Sequence, residues 1–204
     1  RALRQIEALG RRGGRLAMSV LEAFLVHPDD HVRAAAARAF AEAADKGDQQ
    51  AMEMLSSHLG AASSRAREAA LFALSHIAEK GDPHAMASAG ALLDDGSAQV
   101  RSEAVKAVVE LAHSGDTRAV SAIRRSLEDE DEHVRTVAVQ SLGTVAARGD
   151  ASAAECVFAR LEDACSGVRR QAAQALASVA RAGDESAVLM LGRRLEDEVD
   201  WVRP

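Results

Sequence analysis

The 204-residue sequence is poor in aromatic side chains, proline, cysteine and positive net charge. Each shortage excludes something. Aromatics make up 2 %, with four Phe, one Trp and no Tyr. The core therefore has to be aliphatic and rich in Ala, which suits closely packed helices. Only three Pro are present, so little interrupts long helical runs. The two cysteines, Cys156 and Cys165, stand nine apart. That count excludes a disulfide scaffold, and the spacing excludes a CxxC zinc site. Two reduced thiols in a reducing compartment are expected. The longest uncharged run, Thr136 to Ala147, has twelve residues, short of the ~18 of a membrane span. The stretch RALRQIEALG carries charges where a secretory signal is apolar. The expectation is a soluble, intracellular and cytoplasmic chain with no membrane partner. A net charge of −6 argues against a general nucleic-acid binder, which needs a basic footprint to displace counterions.

What the sequence does contain is a repeat. The dipeptide Val-Arg occurs at Val32-Arg33, Val100-Arg101, Val134-Arg135, Val168-Arg169 and Val202-Arg203, and Ala66-Arg67 fills the remaining place. Every interval is 34 residues. Gly47, Gly81, Gly115, Gly149 and Gly183 share that interval, each followed by Asp, and Gly13 continues the series backwards with Gly14 after it. The tripeptide Arg148-Gly149-Asp150, an adhesion signal on an exposed loop, is here one member of this turn series. A Gly ending a helix takes the left-handed conformation, and the Asp after it caps the next helix. On this reading the residue before the Gly ends a helix.

After each Gly-Asp the pattern predicts a helix of about twelve residues, TRAVSAIRRSLE in one copy, with Ala119, Ile123 and Leu127 on one face. The Ala slot is Ala17, Ala51, Ala85, Ala119, Ala153 and Ala187; the Leu slot is Leu25, Leu59, Leu93, Leu127, Leu161 and Leu195. A polar turn follows, then a second helix, EHVRTVAVQSLGTVAAR, with Val134, Ala138, Leu142 and Val145 on its core stripe. Its expected N-caps are Asp29, Ser63, Ser97 and Asp131, with Ser166 substituting where Cys165 breaks the series. Each unit is a helical hairpin that buries its apolar face only by stacking on its neighbours. Ala36, Ala70, Ala104, Ala138 and Ala172 allow close approach.

The predicted architecture is all-α, one array with full units 13–46, 47–80, 81–114, 115–148 and 149–182 and partial units 1–12 and 183–204. In the first partial unit Leu3, Ile6 and Leu9 take the slots of Val139, Leu142 and Val145. The sequence begins and ends mid-unit, and a segment of a longer array is expected.

These residues resemble HEAT repeats, close to the short subtype of phycobilisome lyases. The resemblance is carried by an Asp in the inter-helix turn and an Arg six residues later: Asp95/Arg101, Asp129/Arg135, Asp163/Arg169 and Asp197/Arg203. It implies a right-handed α-solenoid, a ladder of charge-assisted bonds between adjacent units, and second helices lining a concave face. His27 and Ala61 stand where Arg33 and Arg67 need the Asp, so the ladder is expected to weaken toward the N-terminal end. Tetratricopeptide repeats share the 34-residue period, but they require Trp, Tyr, Phe and Pro at fixed places that this sequence does not fill.

No catalytic or metal-ligating set emerges, and no cofactor or small-molecule substrate is predicted. The iron-binding HEAT enzymes related to deoxyhypusine hydroxylase use His-Glu dipeptides, and none of the seven His here precedes a Glu. The acidic runs DDGS, LEDEDE, LEDA and LEDEV lack the loop Gly and the Glu twelve residues on that a calcium loop needs. RRGGR, residues 11–15, has no Gly-Lys-Ser/Thr ending and is the most degenerate copy of the repeat turn.

What remains is surface. On the side of the second helix opposite the core stripe, four slots vary: Arg38, Phe72, Lys106, Gln140 and Gln174; Ala41, Ser75, Val109, Gly143 and Ala177; Ala34, Glu68, Ser102, Thr136 and Arg170; and Asp45, Glu79, His113, Ala147 and Arg181. The candidate partner surface is Arg38, Phe72, Lys106, Val109, Gln140 and Gln174. The expected role is a protein–protein interaction scaffold with a protein partner. A chromophore-lyase-like enzyme or accessory subunit is the second reading, and nucleic-acid binding, disfavoured by the mixed charge of that face, the third.

Overall fold

A computed structural model describes residues 14–180 and shows ten α-helices and, among those residues, no strand. They are α1 (Gly14–Phe24), α2 (Asp30–Ala43), α3 (Gln49–His58), α4 (Ser64–Ile77), α5 (Pro83–Ala91), α6 (Ala98–Leu111), α7 (Thr117–Arg124), α8 (Glu132–Val145), α9 (Ala151–Ala159) and α10 (Ser166–Val179). Short 3-10 turns prolong α5, α7 and α9 at Leu92–Asp94, Arg125–Glu128 and Arg160–Glu162. Odd-numbered helices are the first helices of the hairpins, and even-numbered helices the second. The chain falls into two compact units, 1–111 and 112–204. In the first, α4 packs between α2 and α6; in the second, α10 packs on α8.

The repeated small residues form the core. Ala36, Ala70, Ala104, Ala138 and Ala172 are completely buried, and the Ala slot of the first helices is buried from Ala17 to Ala153. Leu25, Leu93, Leu127 and Leu161 are buried, while Leu59 keeps some exposure. The second helices are buried on more than one stripe. On α8, Val137, Val139 and Ser141 are buried beside Val134, Ala138, Leu142 and Val145. The cause is geometric: a second helix touches its own first helix and a neighbouring second helix.

The turn after each second helix differs from the expected Gly-capped helix end. The helices stop three or four residues before the Gly, and Ala44, Ala78, Ala146 and Ala180 leave them in extended backbone. The next four residues form a turn closed by the Asp N–H on the carbonyl three residues back: Asp48 to Asp45, Asp82 to Glu79, Asp116 to His113 and Asp150 to Ala147. Its third residue has φ +79° at Gly47 and Gly81, +78° at Gly115 and +85° at Gly149, as a type II turn demands. Arg148 is therefore the second residue of a turn, not the end of a helix. Asp45, Glu79, His113 and Ala147 open the turns and do not belong to the far face of the helix. The Asp caps are present: Asp48 accepts from the N–H groups of Gln50 and Ala51, Asp116 from Arg118 and Ala119, and Asp150 from Ala153. At the first turn Gly14 has a positive φ of +83°, and Gly13 lies outside the described residues.

At the other turn, Asp29 and Asp131 cap α2 and α8 with side-chain bonds. Ser63 occupies its N-cap position without one. Ser97 donates to Gln99 Oε1. Cys165 is itself the N-cap residue of α10, and Ser166 is the first helical residue, so no substitution occurs. Asp95, Asp129 and Asp163 each accept, on one carboxylate oxygen, the N–H two residues ahead, of Ser97, Asp131 and Cys165. This Asx turn folds the chain into the following helix and fixes where the Asp carboxylate points.

Candidate partner-binding face

Of the three slots that lie on the helices themselves, the row Arg38, Phe72, Lys106, Gln140 and Gln174 is the most open. Arg38, Lys106, Gln140 and Gln174 are exposed and Phe72 is partly exposed. Arg38, Phe72 and Lys106 lie on α2, α4 and α6 of the first compact unit, and Gln140 and Gln174 on α8 and α10 of the second. Val109 belongs to a more closed row, in which it is half-buried and Ser75 is buried. At Gly143, in the same row, an added Cβ would come within 3.1 Å of the Ala175 backbone. Ala41 is half-buried too and Ala177 is exposed, so this row is a close helix–helix approach at Gly143 and only partly open elsewhere. The row of Glu68 is intermediate: Ala34 and Arg170 are exposed, Glu68 and Thr136 half-buried, and Ser102 buried.

A groove of about 720 Å³ crosses the second helices of the first unit. Arg38, Arg65, Glu68, Phe72 and Glu103 line it, with Ala37 and Ala69 between them. Phe72 stacks on His76 at a ring-centroid distance of 4.2 Å, one helical turn along α4. The groove's charges are unequally committed. Asp30 takes both Arg33 and Arg65, and Glu103 takes Lys106 at 3.1 Å. Glu68 has no hydrogen bond or ion pair among the described residues. Burial pushes its carboxyl above the usual carboxylate range, Glu103 pushes it further, and Lys106, Arg33 and Arg65 offset only part of this. Neither Glu68 nor Glu103 stood in the expected partner set. Glu68 was visible only as a member of a variable slot, and its desolvation follows from packing.

The Asp–Arg pairs form rungs in a register the spacing did not reveal. Arg67 Nε and Nη2 donate to Asp95 at 2.8 and 2.6 Å. Arg135 donates in the same fork to Asp163, at 2.9 Å in both bonds. Each carboxylate thus takes the Arg that stands 28 residues before it, in the preceding repeat. The Arg six residues after it binds its backbone instead: Arg101, Arg135 and Arg169 donate to the carbonyls of Asp95, Asp129 and Asp163. Arg67, expected to lack a partner, therefore has one. Arg33 meets no Asp 28 residues ahead, because Ala61 stands there; it turns to Asp30 and the carbonyls of His27 and Pro28. Asp197 and Arg203 lie outside the described residues, as do the partial units 1–12 and 183–204 and Arg181.

Comparison with known proteins agrees with this construction. The sequence pattern of HEAT repeats matches residues 19–108 and again 87–176. The chain belongs to the HEAT-repeat family. No curated protein sequence matches it. Among solved structures, YibA of E. coli superposes with a TM-score of 0.76 at 18 % identity, covering 98 % of this chain and 70 % of that one. An engineered protein reaches 0.62 at 23 % identity, covering 91 % and 93 %. A designed armadillo repeat protein in complex with the peptide (KR)4 reaches 0.59 at 22 % identity, covering 87 % and 91 %. At these identities the likeness concerns the fold, an α-helical repeat solenoid. No helix among the described residues is long and apolar enough to cross a membrane.

Proposed function

We propose that this HEAT-repeat chain is a protein-interaction scaffold that binds an extended segment of a partner across its second helices. The observation that carries the reading is the open groove over α2, α4 and α6. It combines a partly exposed aromatic ring, Phe72, with charged groups on both sides. The core slots of the repeats are nearly invariant, whereas the row changes chemistry from Arg38 to Phe72 to Lys106 to Gln140. Such variation is what specificity requires, because a fold shared by all repeats cannot by itself discriminate partners. An aromatic anchor in a groove with a polar rim is the usual anatomy of an interaction hot spot. The designed armadillo relative carries a peptide, and its repeat fold is similar to this one.

The test is affinity capture of a partner from the native source, followed by recapture of that purified partner with Phe72→Ala and Lys106→Glu chains. Loss of capture by Phe72→Ala supports the face. Full capture by both variants removes these residues from the claim.

A further inference from the structure

The groove on the first unit contains one carboxylate, Glu68, that has no hydrogen bond or ion pair among the described residues. Its other acids already have partners: Asp30 holds Arg33 and Arg65, and Glu103 holds Lys106. Arg33 is further tied to the His27 and Pro28 carbonyls. Two charged groups lining the groove are left unpaired among the described residues, Glu68 and Arg38. They are not equivalent. Arg38 is exposed, so water solvates it well and leaving it unpaired costs little. Glu68 is half-buried, with Glu103 nearby, and Lys106, Arg33 and Arg65 offset only part of the cost of its charge. A carboxylate with restricted water and a like charge at hand gains most from an arriving cation. Phe72 follows one helical turn later on α4; His76 stacks against its ring, and the part of the ring that stays exposed lines the groove with the carboxylate.

We propose that this groove receives one lysine or arginine side chain from an extended segment of a partner protein, its aliphatic stem laid on Phe72 and its cationic head held by Glu68. The long stem of a basic side chain covers apolar surface while its head stays polar, and the ring face also attracts the cation. Arg38 lines the same groove and repels a second basic residue beside the first. The site therefore takes a single basic residue among uncharged or acidic neighbours rather than a basic run. This inference rests on the interaction-scaffold reading.

The probe is a set of three fluorescein-labelled octapeptides, identical except for a central Lys, Gln or Glu flanked by leucines, titrated with the intact chain and followed by anisotropy. The Lys peptide is expected to bind tightest and the Glu peptide weakest. Glu68→Gln should weaken the Lys peptide about fivefold and leave it equal to the Gln peptide. Phe72→Ala should weaken all three. A fourth peptide with two adjacent Lys should gain nothing over the single Lys, and should gain in Arg38→Gln. The proposal is overturned if the Lys peptide shows no preference, if the preference survives Glu68→Gln, or if no peptide binds at up to ~1 mM. If Phe72→Ala abolishes partner capture while Glu68→Gln changes nothing, the interaction face stands and the basic-residue specificity falls. If Phe72→Ala leaves both capture and peptide binding intact, the face itself falls.

Discussion

The peptide N–H of Gly149 donates to the carbonyl of Val179, 2.7 Å away and thirty residues further along the chain. Val179 is the last residue of α10, so this bond satisfies a carbonyl that the helix leaves without an internal partner. The same bond joins Gly47 to Ile77, Gly81 to Leu111 and Gly115 to Val145. Each turn thus holds the end of the second helix in the following repeat. Lys46 adds to this, its Nζ reaching the His76 carbonyl at 2.7 Å, where the helix dipole favours a cation. At Gly115 the glycine is needed for its positive φ, which aims the N–H, and not for space: a Cβ there would meet Ala147 at an ordinary 3.5 Å. Gly115→Ala should therefore destabilise by about 1–2 kcal/mol through backbone strain. Gly90, inside α5 with open space around it, is the control: Gly90→Ala should stabilise by about 0.5–1 kcal/mol. Urea midpoints measure both, and equal shifts would show that the positive φ costs an alanine nothing.

Gly143 reverses the argument. It lies in α8 without positive φ, where Ala would normally stabilise a helix by about 1 kcal/mol. A Cβ there would stand 3.0 Å from Ala175 Cβ and 3.1 Å from its Cα. Backbone cannot swing aside as a side-chain tip can, so α10 would have to move. Overpacking should win, and Gly143→Ala is expected to lose about 1–3 kcal/mol. A more stable Gly143→Ala protein would mean that α8 and α10 separate at little cost.

The rungs make a third case. Arg67 and Asp95 are both largely buried, with side-chain exposures of 16 % and 8 %. Breaking such a pair strands a desolvated charge, so Asp95→Asn should cost about 2–3 kcal/mol. A double-mutant cycle with Arg67→Met should show a coupling of at least about 1 kcal/mol. The converse change is available at Ala61. Asp there would stand 28 residues after Arg33, as Asp95 does after Arg67 and Asp163 after Arg135. Ala61→Asp should stabilise by about 0.5–1 kcal/mol, less than a native rung because Arg33 must leave Asp30. No gain in Ala61→Asp, with Arg33→Met neutral in that background, would show that the rung depends on more than the pair.

The repeat, its two helices, the Asp caps and the core slots were legible because each depends on residues near in sequence or on an unbroken 34-residue period. The ladder was legible only as a set of residues. Asp95 stands equally well six before Arg101 or 28 after Arg67, and spacing does not decide which guanidinium its carboxylate meets. The Asx turn decides it by fixing the carboxylate's direction. Similarly, Gly143 and Val109 read as surface because their slot varies, yet a variable slot can also record helices at different separations. Glu68 gave least warning, since an unpaired carboxylate is defined by what its neighbours have already bound.

Titration should separate these carboxylates. Hydrogen bonds from Arg67 hold the Asp95 carboxyl below its usual range, against burial and with help from the Ser97 N–H. At Asp163 burial pushes upward, but the bonds from Arg135 and the Cys165 N–H outweigh it. A carboxyl whose folded pKa is lowered adds stability above its unfolded pKa and loses it as pH falls through the folded one. Both rungs should thus weaken from about pH 4 downward. Glu68 runs the other way. Burial first, and Glu103 second, raise its pKa, so its contribution is fully present below the unfolded pKa and is lost as pH rises through the folded one. Asp95→Asn should therefore lower the urea midpoint at pH 7, with a penalty that shrinks toward pH 3. Glu68→Gln should raise the midpoint slightly at pH 7, by less than about 1 kcal/mol, and leave it unchanged in acid. A pH-independent Asp95→Asn penalty would assign that rung to shape alone. A destabilising Glu68→Gln at neutral pH would mean that its carboxylate is already well paired, and the groove would then have no open place for a cation.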